Sequence, residues 1–184
     1  MWNFSGKEKM KIINISGSSG VGKTTIARIL VLVLSELDKK VLHLCGDDLH
    51  KWERHDDNWK KFTHLNPAAN NINVGRKQII DLINGKHIKR DVYNHNTGKF
   101  IKNCVIDSHD IIVNEGLHAL YDKEICELAD LNIFVNTDDE LTKDWKLSRD
   151  IQSRGYTEAQ VLKTIKDREL DDKKYILMSI YLRK

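Results

Sequence analysis

A phosphate-binding pattern, G-x-x-x-x-G-K-S/T, occurs at Gly17-Ser18-Ser19-Gly20-Val21-Gly22-Lys23-Thr24. Its glycines let the backbone curl so that successive N–H groups point inward and hold an anion. A helix that begins directly after the loop adds the positive end of its dipole. In this pattern the lysine reaches the β- and γ-phosphates, and the threonine hydroxyl can bind Mg²⁺. The segment therefore predicts a nucleoside triphosphate site.

The pattern alone does not say which group accepts the phosphoryl group. Transfer to water would indicate a motor NTPase, slow hydrolysis a GTPase switch, and transfer to a hydroxyl a small-molecule kinase. The chain has no N-K-x-D string that specifies guanine, and its 184 residues are few for a motor. A small-molecule kinase is therefore favoured.

Carboxylates follow two short apolar runs. Asp47 and Asp48 come directly after Val41–Cys45, and Glu115 follows Ile111-Ile112-Val113-Asn114. Because ligands bind at the carboxyl ends of parallel strands, we expect these side chains beside the phosphate loop. There an aspartate can orient or deprotonate a hydroxyl, and Glu115 can help to hold Mg²⁺. The alternatives are a helix cap for the aspartates and a surface position for Glu115.

Two groups of cationic residues could meet an anionic substrate. The first lies just past the two aspartates and comprises His50, Lys51 and Arg54. The second lies on one predicted helix and at its exit, and comprises Lys146, Arg149 and Arg154. The first group suits an acceptor that itself carries a phosphate, with a solvated surface position of each residue as the alternative. The second could neutralise charge on a transferring phosphoryl group, with a solvated basic face as the alternative.

Hydrophobic periodicity predicts the elements that must position these residues. Apolar positions recur at helical spacing from Lys23 to Leu37, and short apolar runs at Met10–Ile15 and Val41–Cys45 flank that helix. This order of strand, loop, helix and strand begins a βαβ unit, which implies a parallel sheet covered by helices. Further strands are predicted at Asp110–Val113 and Leu131–Val135.

The remaining predicted elements are helices and one turn. The helices are Asn71–Ile83, Glu140–Arg154 with Gly155 as its end, and one that opens with a capping box at Thr157–Gln160. The segment Tyr93–Gly98 predicts a turn between two short strands, because it is rich in Asn and Gly. No internal repeat or linker interrupts the chain, so we expect one domain over residues 1–184.

Composition excludes several classes of protein. The 30 Lys and Arg residues nearly balance the 27 Asp and Glu residues, so bulk charge does not indicate nucleic-acid binding. The three cysteines, Cys45, Cys104 and Cys126, show no CxxC spacing, which argues against a disulfide framework. The longest apolar run is far shorter than the ~20 residues that span a bilayer, and residues 1–11 lack a signal-peptide core. We expect a cytoplasmic protein with no membrane partner.

Taken together, these residues resemble the phosphoribulokinase/uridine kinase family. The likeness runs from about Lys11 to Ile176 and rests on six separated strings: Gly17–Thr25, Gly46–His50, Asn66–Asn71, Tyr93–Gly98, Glu115–His118 and Trp145–Gly155. The resemblance implies a P-loop NTPase-type α/β fold, with a parallel sheet, helices on both faces and a lid at about residues 149–160. The Asp-x-x-His spacing favours the phosphoribulokinase branch, since uridine kinases usually place a Phe-Tyr pair after the Asp.

The resemblance also implies roles for individual residues. Asp47 is expected to take the proton of the acceptor hydroxyl, with Lys23 as the second catalytic residue. ATP is expected to contact Gly17, Ser18, Ser19, Gly20, Val21, Gly22, Lys23, Thr24, Thr25 and Arg154. The acceptor is expected to contact His50, Arg54, Tyr93, His95, Lys146 and Arg149. Mg²⁺ is expected at Thr24, Glu115 and Asp47.

The function implied by the resemblance is ATP- and Mg²⁺-dependent phosphoryl transfer to a hydroxyl of a small sugar phosphate, with ribulose 5-phosphate as the leading candidate. A uridine or cytidine kinase is the alternative within the family. An alternative of another class is a catalytically silent nucleotide-binding protein, because the chain ends soon after its last family-like segment. Family members are often oligomers, so a homo-oligomer is compatible with the resemblance.

Overall fold

The computed structural model of the protein describes residues 10–178. In these residues the strands are β1 (Lys11–Ser16), β2 (Val41–Cys45), β3 (Ile88–Asn94), β4 (Lys99–Ile106), β5 (Ile111–Glu115) and β6 (Leu131–Phe134). The α-helices are α1 (Lys23–Ser35), α2 (Ile72–Ile83), α3 (Lys123–Leu128), α4 (Asp139–Arg154) and α5 (Glu158–Asp171). Strands β1, β2, β5 and β6 form a parallel sheet in the order β2-β5-β1-β6, while β3 and β4 form a separate antiparallel hairpin.

Helices cover both faces of the parallel sheet, because side chains along a strand point alternately to opposite faces. Ile12, Leu44 and Ile112 face one side, where they pack with residues of α2 and α3. Ile15 and Val113 face the other side, where they pack with α1. The predicted α/β fold with helices on both faces is confirmed.

A ladder of asparagine side chains, buried at Asn14 and Asn114, crosses three neighbouring strands. Asn114 of β5 donates to Asn14 of β1 at 2.9 Å, and Asn14 donates to Asn132 of β6 at 2.8 Å. A slip of one residue would turn these amides to the other face and leave buried polar groups without partners. The ladder therefore fixes the register that places the carboxyl ends of the strands side by side.

Most predicted elements are present, with shifted ends. β1 and β5 each begin and end one or two residues later than predicted, and α1 ends at Ser35 rather than Leu37. Gly155 ends α4 in the left-handed conformation with φ 70°, and Thr157 and Gln160 form the predicted capping box. Helix α3 was not predicted. Among residues 10–178, no helix is both long and apolar enough to cross a membrane.

Candidate active site

The phosphate-binding loop connects β1 to α1. Gly17, Gly20 and Gly22 have φ values of 148°, 101° and 93°, a region that residues with a Cβ rarely adopt. A Cβ on Gly17 would lie 2.3 Å from the carbonyl oxygen of Val135, so only glycine fits there. Gly22 precedes α1 without a side-chain cap, which leaves the first N–H groups of the helix free for an anion.

Lys23 lies inside this loop. Its Nζ donates to the carbonyl oxygen of Ser18 at 2.8 Å, and the side chain is buried. Burial lowers the pKa of Lys23, while the negative fields of Glu115 and Asp47 oppose that shift. Both carboxylates therefore act on the lysine that the pattern assigns to the phosphates.

Thr24 and Glu115 form an oxygen pair at the edge of the sheet. Register places Ile15 of β1 and Cys45 of β2 opposite Glu115, so the three strands end together. The Thr24 hydroxyl donates to Oε1 of Glu115 at 3.1 Å, and Glu115 is only 3% exposed. Mg²⁺ prefers oxygen ligands of this kind and usually keeps several waters. The residues present therefore fit Mg²⁺.

Asp47 and Asp48 lie in one 3-10 turn (Gly46–Leu49) after β2, but they face different surroundings. Asp48 pairs with the buried Arg90 at 3.1 Å and accepts a hydrogen bond from the backbone N–H of Tyr93 at 2.8 Å. Asp47 is 34% exposed and lies 3.6 Å from Nε2 of His50. Neither aspartate caps an α-helix. Asp48 is held by the scaffold, and Asp47 is the one that faces the site.

Charges around Asp47 favour its ionised form. Burial alone would raise the pKa of Asp47, but His50, His95 and Lys23 together outweigh that effect and lower it. The pKa of His50 is also lowered, because burial outweighs the attraction of Asp47. At neutral pH the site therefore holds an aspartate that can accept a proton and a neutral imidazole beside it.

The β3–β4 hairpin brings Tyr93 and His95 to the same place. Nε2 of His95 lies 3.4 Å from Oδ2 of Asp47, and the Tyr93 ring contacts His50 edge to face at 5.5 Å. Arg54 holds the hairpin, because its backbone N–H donates to Gly98 at 2.8 Å and its guanidinium donates to the carbonyl oxygen of His95. The structure thus gives Arg54 a positioning contact that the sequence did not indicate.

Helix α4 supplies further cations. Lys146 is buried beneath Gly20 of the phosphate loop, and burial, followed by the field of Arg168, lowers the pKa of Lys146 to about 8. Arg149 and Arg154 converge on Asp150 at 2.8 Å and 3.2 Å. The positive field of Arg149 also reaches Lys23. These three predicted cations therefore share one wall of the site.

The sequence analysis missed several residues that contact the site, and they lie at the end of α5 and just after it. Asp172 accepts a hydrogen bond from the Ser18 hydroxyl of the phosphate loop at 2.7 Å, and Asp171 accepts one from Thr63 at 2.6 Å. The positive field of Arg168 reaches His50. A π-helical turn, Asp172–Ile176, follows, a geometry that is frequent at functional sites. No motif marks these residues, because chain folding alone brings them to the loop.

A wall of aromatic and imidazole rings lies around His50. The His64 ring lies 4.6 Å from that of His50 and 3.7 Å from that of Trp59. Burial lowers the pKa of His64 to about 2, so this ring is neutral. Trp52 packs against Trp59 and Phe62, as expected of packing residues. His64 carried no predicted role, yet it contacts the predicted substrate residue His50.

Comparison with known proteins shows the family of the chain. The family described as "Phosphoribulokinase / Uridine kinase family" matches residues 12–180. The chain belongs to this family. Phosphoribulokinase of Synechocystis sp. is 34% identical over 169 residues, which are 92% of this chain and 50% of that protein. Uridine kinase of Saccharomyces cerevisiae is 35% identical over 153 residues, which are 78% of this chain and 30% of that protein.

The chain spans about half the length of this phosphoribulokinase and about a third of the length of this uridine kinase. Solved structures show the same fold. Phosphoribulokinase from Rhodobacter spheroides superposes with a TM-score of 0.75 at 24% identity, over 95% of this chain and 68% of that one. D-glycerate 3-kinase from Cryptococcus neoformans gives 0.61 at 11% identity, over 97% of this chain and 83% of that one.

Proposed function

We propose that the protein is an ATP-dependent kinase that phosphorylates a hydroxyl of a small molecule. The observation that carries this proposal is the position of Asp47. Its carboxylate is ionised, partly exposed and close enough to Lys23 for each to shift the pKa of the other. A hydroxyl placed between Asp47 and a triphosphate in the loop would be oriented for attack, and its proton would pass to the aspartate.

The other site residues neutralise charge in this proposal. Mg²⁺ held by Thr24 and Glu115 would offset negative charge on the β- and γ-phosphates. Lys23 and Lys146 approach the loop from two sides, since one lies within it and the other beneath Gly20. Such preorganised positive groups lower the barrier because they need no rearrangement as charge moves.

For the acceptor, we propose a sugar phosphate, with ribulose 5-phosphate as the leading candidate. The positive fields of Lys23 and Arg168 reach Asp47, and those of Arg149 and Lys146 reach these two cations in turn. A neutral nucleoside would need no such charge. Phosphoribulokinase relatives are consistent with an anionic acceptor.

A nucleoside acceptor is the second candidate, because one observation favours it. The rings of His50, Trp59, His64 and Tyr93 form a continuous wall beside Asp47, and a nucleobase could stack on such a wall. The uridine kinase relatives are consistent with a nucleoside acceptor. ATP consumption measured with ribulose 5-phosphate and with uridine would separate the candidates by the ratio of kcat/KM.

The lid prediction extends the proposal to residues 149–160. This segment comprises the end of α4, the turn at Gly155 and the start of α5. Asp150 joins Arg149 to Arg154, so the two arginines would move together if the segment closed over ATP. We propose that Arg154 reaches the nucleotide in this way.

Asp47→Asn tests the central role of the aspartate. Loss of a general base reduces turnover by about 10²- to 10⁴-fold, while the phosphate loop remains intact, so the variant should bind ATP with nearly unchanged affinity. Asp57→Asn, an exposed change in the following 3-10 turn, is the matched control. Turnover by Asp47→Asn at the normal rate would contradict the proposal. ATP binding without turnover in the unmodified protein, with either acceptor, would support the catalytically silent alternative.

A further inference from the structure

Three different metal-binding groups meet beside the phosphate loop. The Sγ atom of Cys45, a carboxylate oxygen of Asp47 and a ring nitrogen of His95 all lie within 4.8 Å of one another. The sulfur and nitrogen distinguish this set from the Mg²⁺ oxygens of Thr24 and Glu115. No role has been assigned to Cys45 in phosphoryl transfer.

Two of these groups lie at the end of a strand and in the turn after it, and the third lies on a hairpin. Cys45 is the last residue of β2, and Asp47 follows in the 3-10 turn. His95 lies at the tip of the β3–β4 hairpin, where its side chain is 43% exposed. Contacts with Arg54 keep the hairpin in place. The His95 ring can therefore adjust more freely than the other two groups.

The spacing is close to that of a tetrahedral metal site. With ligand bonds of about 2.0–2.3 Å, neighbouring ligand atoms in such a site lie about 3.3–3.8 Å apart. Nε2 of His95 already lies 3.4 Å from Oδ2 of Asp47. Nε2 of His50 lies 3.6 Å from the other oxygen of that carboxylate, where it could supply a fourth ligand. A contraction of about 1 Å at Cys45 and His95 would close the set.

The chemistry of the ligands selects the ion. Mg²⁺ and Ca²⁺ prefer sites made of oxygen, whereas a thiolate with an imidazole and a carboxylate suits Zn²⁺. We propose that Cys45, Asp47 and His95 bind Zn²⁺, and that the bound ion inhibits the kinase. On binding, the thiol proton is displaced to solvent and sulfur, oxygen and nitrogen each donate an electron pair to the ion. Inhibition follows from the proposed function, because Asp47 could no longer accept the proton of the acceptor.

Direct binding tests the site without relying on activity. Co²⁺ is titrated into the full chain in a thiol-free, Mg²⁺-free buffer, and the sulfur-to-cobalt charge-transfer absorption is recorded before Zn²⁺ is added. We expect one equivalent of Co²⁺ to produce the absorption and one equivalent of Zn²⁺ to remove it. Cys45→Ser should lose the absorption, and His95→Ala should weaken Zn²⁺ binding at least tenfold. Cys104→Ser, a change of a cysteine in β4, is the matched control and should behave as the unmodified chain.

Inhibition is measured next, as the Zn²⁺ concentration that halves ATP consumption at fixed Mg²⁺ and ATP. Cys45→Ser should retain kcat within about twofold, because serine preserves the size of the side chain, and should need at least tenfold more Zn²⁺. Absence of the cobalt–thiolate absorption, or equal Zn²⁺ affinity of Cys45→Ser and Cys104→Ser, would overturn the proposal. If Zn²⁺ bound at Cys45 but the chain phosphorylated no acceptor, the metal site would stand and only the kinase assignment would be refuted.

Discussion

Replacement of Asp48 by Asn distinguishes the roles of the two adjacent aspartates. The Asp48 side chain is 10% exposed and that of Arg90 is 3% exposed, so their ion pair is largely removed from water. Arg90 also donates to Gln78 at 2.7 Å and to the carbonyl oxygen of Cys45. This arginine thus ties the end of β2 to α2, and its charge is balanced by Asp48.

The expected cost follows from the burial of the pair. Removal of one partner from a buried ion pair costs about 3–5 kcal/mol, because the other charge is left without compensation. Asparagine can still accept the hydrogen bond from Tyr93, so we expect the lower end, about 3 kcal/mol. For a domain of this size each kcal/mol lowers Tm by roughly 2–4 °C, which gives a fall of about 6–12 °C.

Thermal unfolding followed by circular dichroism measures this effect. Asp47→Asn should unfold within about 3 °C of the unmodified chain, because its carboxylate is half-buried and is not paired with an arginine. Asp57→Asn serves as the exposed control. If Asp48→Asn unfolded at the normal temperature while turnover disappeared, Asp48 would be the aspartate that serves the acceptor, and the assignment of Asp47 would be wrong.

Two further predictions concern the phosphate loop and pH. Lys23→Ala should weaken ATP binding by about 10- to 100-fold in a titration, as expected for loss of a charged hydrogen bond, whereas the exposed Lys143→Ala should not. Unchanged affinity of Lys23→Ala would contradict the role of the loop. Burial lowers the pKa of His118 from 6.5 to about 4, so the unfolded chain takes up this proton first as pH falls. His118 alone should therefore cost about 2 kcal/mol of stability between pH 7.5 and pH 5. Denaturant unfolding should show that His118→Phe flattens this slope; an unchanged slope would mean that His118 is not buried in neutral form.

Local signals account for the parts of the site that could be predicted. The phosphate loop, the strand before it and the helix after it depend on neighbouring residues, and all three are present. Gly155 and the Thr157 capping box also act over a few residues, so the break between α4 and α5 lies where it was expected. Glu115 was placed beside the loop because parallel strands end at a common edge.

Packing between residues far apart in the sequence decided which side chains face the site. Position after β2 does not distinguish Asp47 from Asp48, and only the family resemblance favours Asp47. In the structure Arg90, more than forty residues away, is the partner that withdraws Asp48 into the scaffold. The Arg54 guanidinium contacts the β3–β4 hairpin, and no residue spacing in the sequence indicates that contact.

The same reason explains the residues that were missed. Ser18 and Asp172 are separated by 154 positions, and Thr63 and Asp171 by 108. Periodicity and motifs describe what a residue does with its near neighbours along the chain. They determined the phosphate loop, which is one continuous segment of the chain. The proposed acceptor side is assembled from several separate segments of the chain, so only the packing of the folded chain determines which side chains surround Asp47.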